Sequence, residues 1–280
     1  MPSSMLVGKG SSFNSASINF AIWFSHAATV AGEFEIAGAW EKTPGPTPLN
    51  KWCAERNVRP YDNLDKLIEE CDGLYILAPS NPEAHEEIAY GALASGKPVF
   101  IDKPLALEEA AAERMFARAE AHNTPMFSCS SLRYGTEIQE VKGTFPIEYV
   151  SVFGDGHVFW EEAIHPLEMI VTLMGTNITS LMHTRSGEAH HIVFRFDDGR
   201  VADMTMHSTL WPYSFCACGP EVYKAVPQVT DYFENQVEVI LKFFKDRIVP
   251  IPPKETVDIV RILRVIIESE ARLNEWVKVR

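Results

Sequence analysis

Two groups of residues in this chain of 280 residues have types and spacings suited to chemistry. The first is Lys103, which follows the short apolar run 98–101. A lysine just outside a buried strand is placed to meet a ligand. The second is the pair Glu161 and His165, whose spacing of four residues puts both side chains on one face of a helix. Because histidine exchanges protons near neutral pH, this pair indicates acid/base chemistry in a cleft.

The elements around Lys103 form a recognisable unit. Residues 73–78 are an apolar run typical of a strand buried on both faces, and 98–101 is the next such strand. Between them, Asn81 suits a helix N-cap, and the predicted helix runs over 82–95 and ends at Gly96. A strand, a helix and a strand in this order predict a parallel sheet with a right-handed crossover. Ligands bind beyond the carboxyl ends of such strands.

The order of elements predicts two domains. Residues 1–131 alternate strands and helices, which indicates an α/β fold, an N-terminal Rossmann-type doubly wound parallel sheet. Residues 132–280 form strands without intervening helices, with a hairpin turn at 197–200, and end in helices predicted over 231–246 and 255–276. We expect an α+β domain with a mostly antiparallel open sheet, which binds substrate and joins a second copy of the chain.

The uncharged segment 10–32 requires an interpretation of its own. Its longest apolar run, 20–24, is far shorter than the roughly 20 residues that span a membrane. A signal peptide is the alternative, because small residues follow this run. However, 34–40 has the pattern of a second strand, which needs a helix and a first strand before it. We therefore expect 10–32 to contain the buried first helix of the sheet.

Composition excludes some classes of protein. The formal net charge is -13, which argues against sequence-independent binding to nucleic acid or to an acidic membrane surface. The five cysteines have an odd count and no paired framework, so a reducing, cytoplasmic setting is expected. Cys216 and Cys218 alternate along a strand, a spacing more typical of packing than of a metal site.

With these motifs the chain resembles the Gfo/Idh/MocA oxidoreductases, a family that includes glucose–fructose oxidoreductase and inositol dehydrogenase. Its members typically read A-T-P-N-x-x-H, then A-L-x-A-G-K-x-V, then E-K-P. The matching positions here are Ala78, Pro79, Asn81 and His85; Ala92, Leu93, Ala94, Gly96, Lys97 and Val99; and Asp102, Lys103 and Pro104. The likeness extends through most of the chain.

The resemblance implies an NAD(P)-dependent oxidoreductase that moves a hydride between nicotinamide and a hydroxyl or keto carbon of a sugar, cyclitol or related polyol. It implies that His165 is the acid/base, that Lys103 hydrogen-bonds the same oxygen, and that Glu161 orients substrate and histidine, with Arg133 and Tyr134 also binding substrate. Many members have an aspartate at the position of Glu168. The cofactor would contact Gly8, Gly10, Ser11, Ser12, Glu41, Ala78, Pro79, Ser80, Asn81, His85, Asp102 and Lys103.

The first loop departs from the family. A dinucleotide fold expects G-x-G-x-x-G, whereas this chain has Phe13 in place of the third glycine of the motif beginning at Gly8. A polar loop without cofactor contacts fits residues 11–14 equally well. If Glu41 holds the adenosine ribose, its charge repels a 2′-phosphate and favours NAD over NADP, although Lys42 weakens this preference.

Other functions use the same residues. A redox-inactive member of the family would bind a metabolite or partner in the same cleft. A metal site could form from His157, Glu161, His165 and Glu168, but the glycines and proline around them argue against one unbroken helix, and no metal is expected. The uncovered sheet face of the second domain predicts a homodimer or homotetramer.

Overall fold

The computed structural model describes residues 3–9, for which only the backbone is given, 34–42, 48–78 and 82–279. The predicted first helix in 10–32 lies outside these residues. The chain divides into two compact units. The first contains Met1–Cys129 and Gln236–Val257, and the second contains Ser130–Asn235 and Asp258–Arg280. No helix among the described residues has the length and apolar composition needed to cross a membrane.

The first unit contains a parallel sheet of six strands in the order β3-β2-β1-β4-β5-β6. This order confirms the predicted doubly wound fold, because its direction reverses between β1 and β4, where such sheets bind ligands. The strands are β1 (Ser3–Lys9), β2 (Phe34–Glu41), β3 (Arg59–Pro60), β4 (Gly73–Leu77), β5 (Val99–Ile101) and β6 (Met126–Ser128).

The described residues of the first unit before the boundary at Cys129 contain the helices α1 (Leu49–Arg56), α2 (Leu64–Glu70), α3 (His85–Ala89) and α4 (Glu109–Ala121). The segment predicted as one helix over 82–95 is less regular, since α3 lies between the 3₁₀ turns Pro82–Ala84 and Ala92–Ala94. It ends as predicted, before Gly96, whose φ of 71° favours glycine.

The core of the first unit is a row of aromatic rings. The ring of Phe100 on β5 contacts Tyr75 on β4 and Phe127 on β6, and the ring centroids are 4.9 Å apart in both pairs. Phe243 continues the row 4.8 Å from Phe127. Burial of such large apolar side chains is the main stabilisation of a core.

The second unit contains seven strands in the order β12-β11-β7-β10-β9-β8-β13. Only β7 and β10 pair in parallel, which agrees with the predicted mostly antiparallel sheet. The strands are β7 (Tyr149–Gly154), β8 (Ile178–Ser186), β9 (Ala189–Phe196), β10 (Val201–Met206), β11 (Ser214–Cys218), β12 (Tyr223–Val226) and β13 (Trp276–Lys278). Its helices are α5 (Thr136–Val141), α6 (Phe159–Glu162) and α7 (Ile164–Met174).

The last two helices, α8 (Tyr232–Asp246) and α9 (Pro253–Glu268), correct two expectations. The prediction assigned 132–280 to one domain, but residues 236–257 pack with the first unit, since Phe243 joins its aromatic row and Phe244 lies against Gly73. The final helix was predicted to reach Trp276. It ends at Glu268 instead, and Trp276 begins β13, where the Arg195 guanidinium stacks on its ring.

Candidate active site

Lys103 lies in the turn that follows β5, and the turn is held mainly through its backbone. Asp102 donates its backbone N–H to the carbonyl of Ile76, at 2.9 Å, and its Oδ1 accepts the N–H of Lys103 at 2.8 Å. Burial raises the pKa of the Asp102 carboxyl, although the charge of Lys103 and this hydrogen bond oppose the rise. Lys103 is half-buried, and its peptide bond to Pro104 is cis. The parallel sheet thus holds Lys103 at its ligand-binding edge.

His85 supports this turn from inside the unit. Its side chain is fully buried, and its Nδ1 lies 3.0 Å from the carbonyl oxygen of Leu105. Burial lowers the pKa of His85 to about 4, so the ring is neutral at pH 7 and its Nδ1–H donates to Leu105. Because the side chain has no exposed surface, the structure contradicts the predicted contact between His85 and a cofactor. His85 instead positions the segment that carries Lys103.

Glu41 is the last residue of β2, where doubly wound sheets place the carboxylate that holds the adenosine ribose. Its Oε1 accepts the backbone N–H of Leu49 at 3.0 Å, at the start of α1. The neighbouring Lys42 forms an ion pair with Glu87. The strand order and this carboxylate fit a dinucleotide cofactor.

The other predicted cofactor contacts are only partly described. Gly8 lies in β1, next to the end of that strand, and Ala78 follows β4 with a buried side chain. Gly10, Ser11, Ser12, Pro79, Ser80 and Asn81 lie outside the described residues.

In the second unit, His165 is placed where α6 meets α7, which are separated only by Ala163 in a helical conformation. Its Nδ1 lies 2.6 Å from the Oγ of Ser130. Ser130 Oγ also accepts the backbone N–H of Leu132 at 3.2 Å. The side chain of His165 is 16% exposed. One nitrogen of the ring is therefore fixed by a hydroxyl that is itself hydrogen-bonded.

The carboxylate beside the other ring nitrogen belongs to Glu162. Its Oε2 lies 3.5 Å from His165 Nε2 and accepts the hydroxyl of Tyr213 at 3.3 Å. Burial and the charge of Glu162 raise the pKa of Tyr213 well above its usual value, so this phenol stays protonated and can donate. The Tyr213 ring also meets the His165 ring edge to face, with centroids 5.9 Å apart.

The sequence predicted Glu161 as the partner of His165. Glu161 lies on α6, half-buried, and its neighbour Glu162 lies beside the imidazole. The role of Glu161 stays a prediction. Both i,i+3 and i,i+4 spacings bring side chains together on a helix, so the spacing alone could not choose between them.

Arg133 and Tyr134 were predicted to bind substrate. The Arg133 side chain is only 6% exposed, and its Nη1 lies 2.6 Å from Glu168 Oε2. Glu168 Oε1 also accepts the backbone N–H of Ser130 at 3.0 Å. This ion pair takes most of the Arg133 guanidinium into the interior, so Arg133 offers little surface to a substrate, and its contact with substrate stays a prediction. Tyr134 is half-buried, and its carbonyl accepts from Asn235 at 2.8 Å.

The predicted metal alternative has no support among the described residues, since no three His, Cys, Asp or Glu side chains converge there on a common point. His157, one of its members, is exposed before α6.

Sequence reasoning missed Ser130, Glu162 and Tyr213. Only Glu162 had a visible signal, its helical spacing of three residues before His165; the other two come from segments distant in sequence.

Comparisons with known proteins show which families and folds this chain is similar to. Residues 14–128 match the model of the GFO_IDH_MocA oxidoreductase family, described as an NAD-binding Rossmann fold. An uncharacterised oxidoreductase of Schizosaccharomyces pombe is 21% identical over 65% of this chain and 52% of its own length. Inositol 2-dehydrogenase of Ralstonia nicotianae is 36% identical over 28% of this chain and 23% of its own length. The chain thus spans about half or less of these curated relatives.

A solved structure extends the likeness in fold to the whole chain. The apo scyllo-inositol dehydrogenase from Lactobacillus casei superposes with a TM-score of 0.84 over 99% of this chain and 98% of that one, at 14% sequence identity. At this identity the similarity shows the fold alone. Residues 14–128 thus resemble the Gfo/Idh/MocA family of oxidoreductases, and the strand order of the first unit is consistent with the NAD-binding Rossmann fold of that family model.

Proposed function

We propose that the chain is an NAD(P)-dependent dehydrogenase or reductase that acts on a hydroxyl or keto carbon of a sugar, cyclitol or related polyol. The observation that carries this proposal is the acid/base geometry at His165, whose two ring nitrogens lie beside Ser130 and Glu162 in a chain with an NAD-binding domain. The inositol dehydrogenases among the similar proteins support a polyol substrate.

Oxidation of a secondary alcohol divides into two transfers. The hydroxyl proton goes to His165, and the hydride leaves the same carbon as the carbonyl forms. Bound NAD(P)⁺ supplies the acceptor of that hydride. Lys103 stabilises the negative charge that develops on the substrate oxygen, because an ammonium group in a half-buried position is only partly screened by water. In the reverse direction, His165 returns the proton to the alkoxide.

NAD is the proposed preferred cofactor. Glu41 would accept hydrogen bonds from the ribose hydroxyls and repel a 2′-phosphate. Lys42, which could attract that phosphate, is paired with Glu87. Titration with NADH and with NADPH, followed by nicotinamide fluorescence and thermal shift, tests this directly. Saturable binding, tighter for NADH, supports the proposal, and absence of binding by either would overturn it.

The role of Lys103 is tested by substitution. Lys103→Met removes the ammonium group but keeps a side chain of similar length, so we expect turnover to fall by about a hundredfold to a thousandfold, as loss of an oxyanion contact does. The thermal midpoint and NADH binding should change little. A variant with full dehydrogenase activity would contradict the assignment.

The uncovered sheet face of the second unit supports a homodimer or homotetramer. Helix α7 packs against β7 on one face, whereas Phe153 on the other face of β7 is 38% exposed. Light scattering after size exclusion would give two or four times the chain mass of 31.4 kDa, and Phe153→Asp would reduce it. No disulfide joins any of the five cysteines, all of which lie in the described residues, and this supports a reducing compartment such as the cytoplasm.

A further inference from the structure

We propose that His190 is a positioning residue for α6, the helix that carries Glu161 and Glu162, and that it acts by stacking on Phe159. This inference rests on the proposed function and deepens it, because it names a core side chain that holds these glutamates near His165. It gives a role to a buried histidine that the proposed acid/base chemistry does not use.

Helix α6 depends on contacts outside itself. It is a single turn, Phe159–Glu162, and so short a helix is not stable alone. Its N-cap residue is Val158, whose apolar side chain cannot accept a hydrogen bond from the first turn. Phe159 is buried, and its carbonyl accepts the N–H of Ala163 at 2.9 Å, where α7 begins. A displacement of Phe159 would therefore move both the glutamates of α6 and the start of α7.

The Phe159 side chain lies flat on the imidazole of His190. The two ring centroids are 4.0 Å apart, and the planes differ by 8°. The His183 ring makes a second contact with Phe159, at 5.2 Å and 30°. Both histidines are buried on the inner face of the β8–β9 hairpin. Because aromatic rings pack with specific geometry, a parallel contact fixes both the position and the tilt of Phe159.

A chain of hydrogen bonds allows the two imidazoles to be buried. Ser269 Oγ donates to the carbonyl of Ile266 at 2.6 Å, so it accepts the Nδ1–H of His183 at 3.1 Å. The lone pair of His183 then lies on Nε2, which accepts the Nδ1–H of His190 at 3.0 Å. These bonds compensate the loss of water around the rings, and the stack with Phe159 is what they support.

The stack is uncharged at neutral pH. Burial lowers the pKa of His183 to about 4, and burial together with the charge of Arg185 lowers the pKa of His190. Arg185 is itself paired with Glu270, at 3.1 Å. Both imidazoles are therefore neutral at pH 7, which is the state that the hydrogen-bond chain requires.

The test compares H190N with H190F. Asparagine keeps an N–H donor but removes the ring, whereas phenylalanine keeps a flat ring but removes the donor. We expect kcat for polyol oxidation to fall about tenfold or more in H190N, because small misplacements in an active site can cost up to about a hundredfold. In H190F, kcat should stay near that of the wild type, although the urea midpoint falls because His183 loses its donor.

Turnover and stability should therefore separate in these two variants. A kcat that follows the urea midpoint in both would show that His190 serves packing alone, and would overturn the proposal. The matched control is H191N, since His191 is the next residue of β9 and its side chain is 41% exposed. Its kcat should equal that of the wild type. An equal fall in H191N and H190N would refute the role of His190.

A second measurement separates this inference from the proposed function. Trp160 follows Phe159 on α6, so the NMR signal of its indole N–H reports the position of this helix without substrate. W160F identifies that signal among the six tryptophans. The signal should move in H190N and stay in place in H190F, and this result supports the inference even if no polyol is turned over. In that case only the proposed function fails. An unmoved signal in H190N, or equal shifts in both variants, overturns the inference.

Discussion

The two units hold their candidate site residues by different means. In the first unit, Lys103 is positioned by backbone hydrogen bonds of the turn after β5 and by a neutral, buried His85. In the second unit, His165 is positioned by side chains that reach it from distant segments, Ser130 and Tyr213, and by Glu162 on the same helix. The first arrangement follows from sheet topology, and the second from the packing of individual side chains.

This difference predicts how each site responds to mutation. A backbone-held turn tolerates changes on its surface, because the sheet continues to fix it. A network of side chains transmits a change from one member to the next, since each contact depends on the position of another group.

The largest effect is expected from E168Q in the second unit. The substitution leaves the Arg133 guanidinium buried without its counter-charge, which costs about 3–5 kcal/mol for pairs of this kind. Urea unfolding should show this loss, and kcat should fall because Ser130 loses part of its anchor. The matched control is E86Q in the first unit, where the partly exposed pair of Glu86 and Arg114 is screened by water. A similar loss in both variants would refute the contrast.

An intermediate effect is expected from G154A at the end of β7. A Cβ at this position would lie 2.5 Å from a ring carbon of Tyr213 and would push the ring away. Overpacking of this kind costs about 1–3 kcal/mol, and the displaced hydroxyl should no longer hold Glu162. The acid limb of the pH profile of kcat/KM should then shift to lower pH, because a displaced Glu162 would stabilise the His165 imidazolium less.

The control for this change is G143A. Gly143 has a φ of 73° and no neighbour within 4 Å of an added Cβ, so its cost, about 1 kcal/mol, comes from the backbone alone. The pH profile should not move in G143A. If both variants shift it equally, the link through Tyr213 is wrong.

A smaller effect concerns pH and stability. His85 in the first unit and His183 in the second are both buried, and burial lowers the pKa of each from 6.5 to about 4. As the pH falls, these histidines bind a proton near pH 6.5 in the unfolded chain but only near pH 4 in the folded chain. Each neutral, buried histidine therefore contributes stability that is present above pH 6.5 and is lost as the pH falls toward 4. Between pH 7 and pH 5 the loss is about 2 kcal/mol per histidine.

Urea unfolding of the wild type, H85N and H183N at pH 7 and pH 5 checks this expectation. In each variant, the fall in the free energy of unfolding between pH 7 and pH 5 should be smaller than in the wild type by about 2 kcal/mol, the contribution of one histidine. Only H85N should also lower turnover, because His85 supports the segment that carries Lys103. Equal turnover in H85N and the wild type would show that the turn needs no support from this side chain.

Much of the first unit could be predicted because its signals are local. The runs at β4 and β5 are apolar throughout, and strands buried on both faces must lie inside a parallel sheet. The hairpin of β9 and β10 was equally visible from the turn at 197–200. The end of the last helix could not be predicted from local signals, because Trp276 pairs with Met182 of β8, which is far away in sequence.

The sequence by itself determined the fold class, the resemblance to the oxidoreductase family, and the placement of Lys103 after a buried strand and of His165 on a helix, since these depend on hydrophobic periodicity and on motifs within short segments. Only the tertiary structure decided that residues 236–257 pack with the first unit, that Arg133 and His85 are internal supports, and that Glu162, Ser130 and Tyr213 surround His165. The physical reason is that side-chain contacts between distant segments form only when the chain is packed.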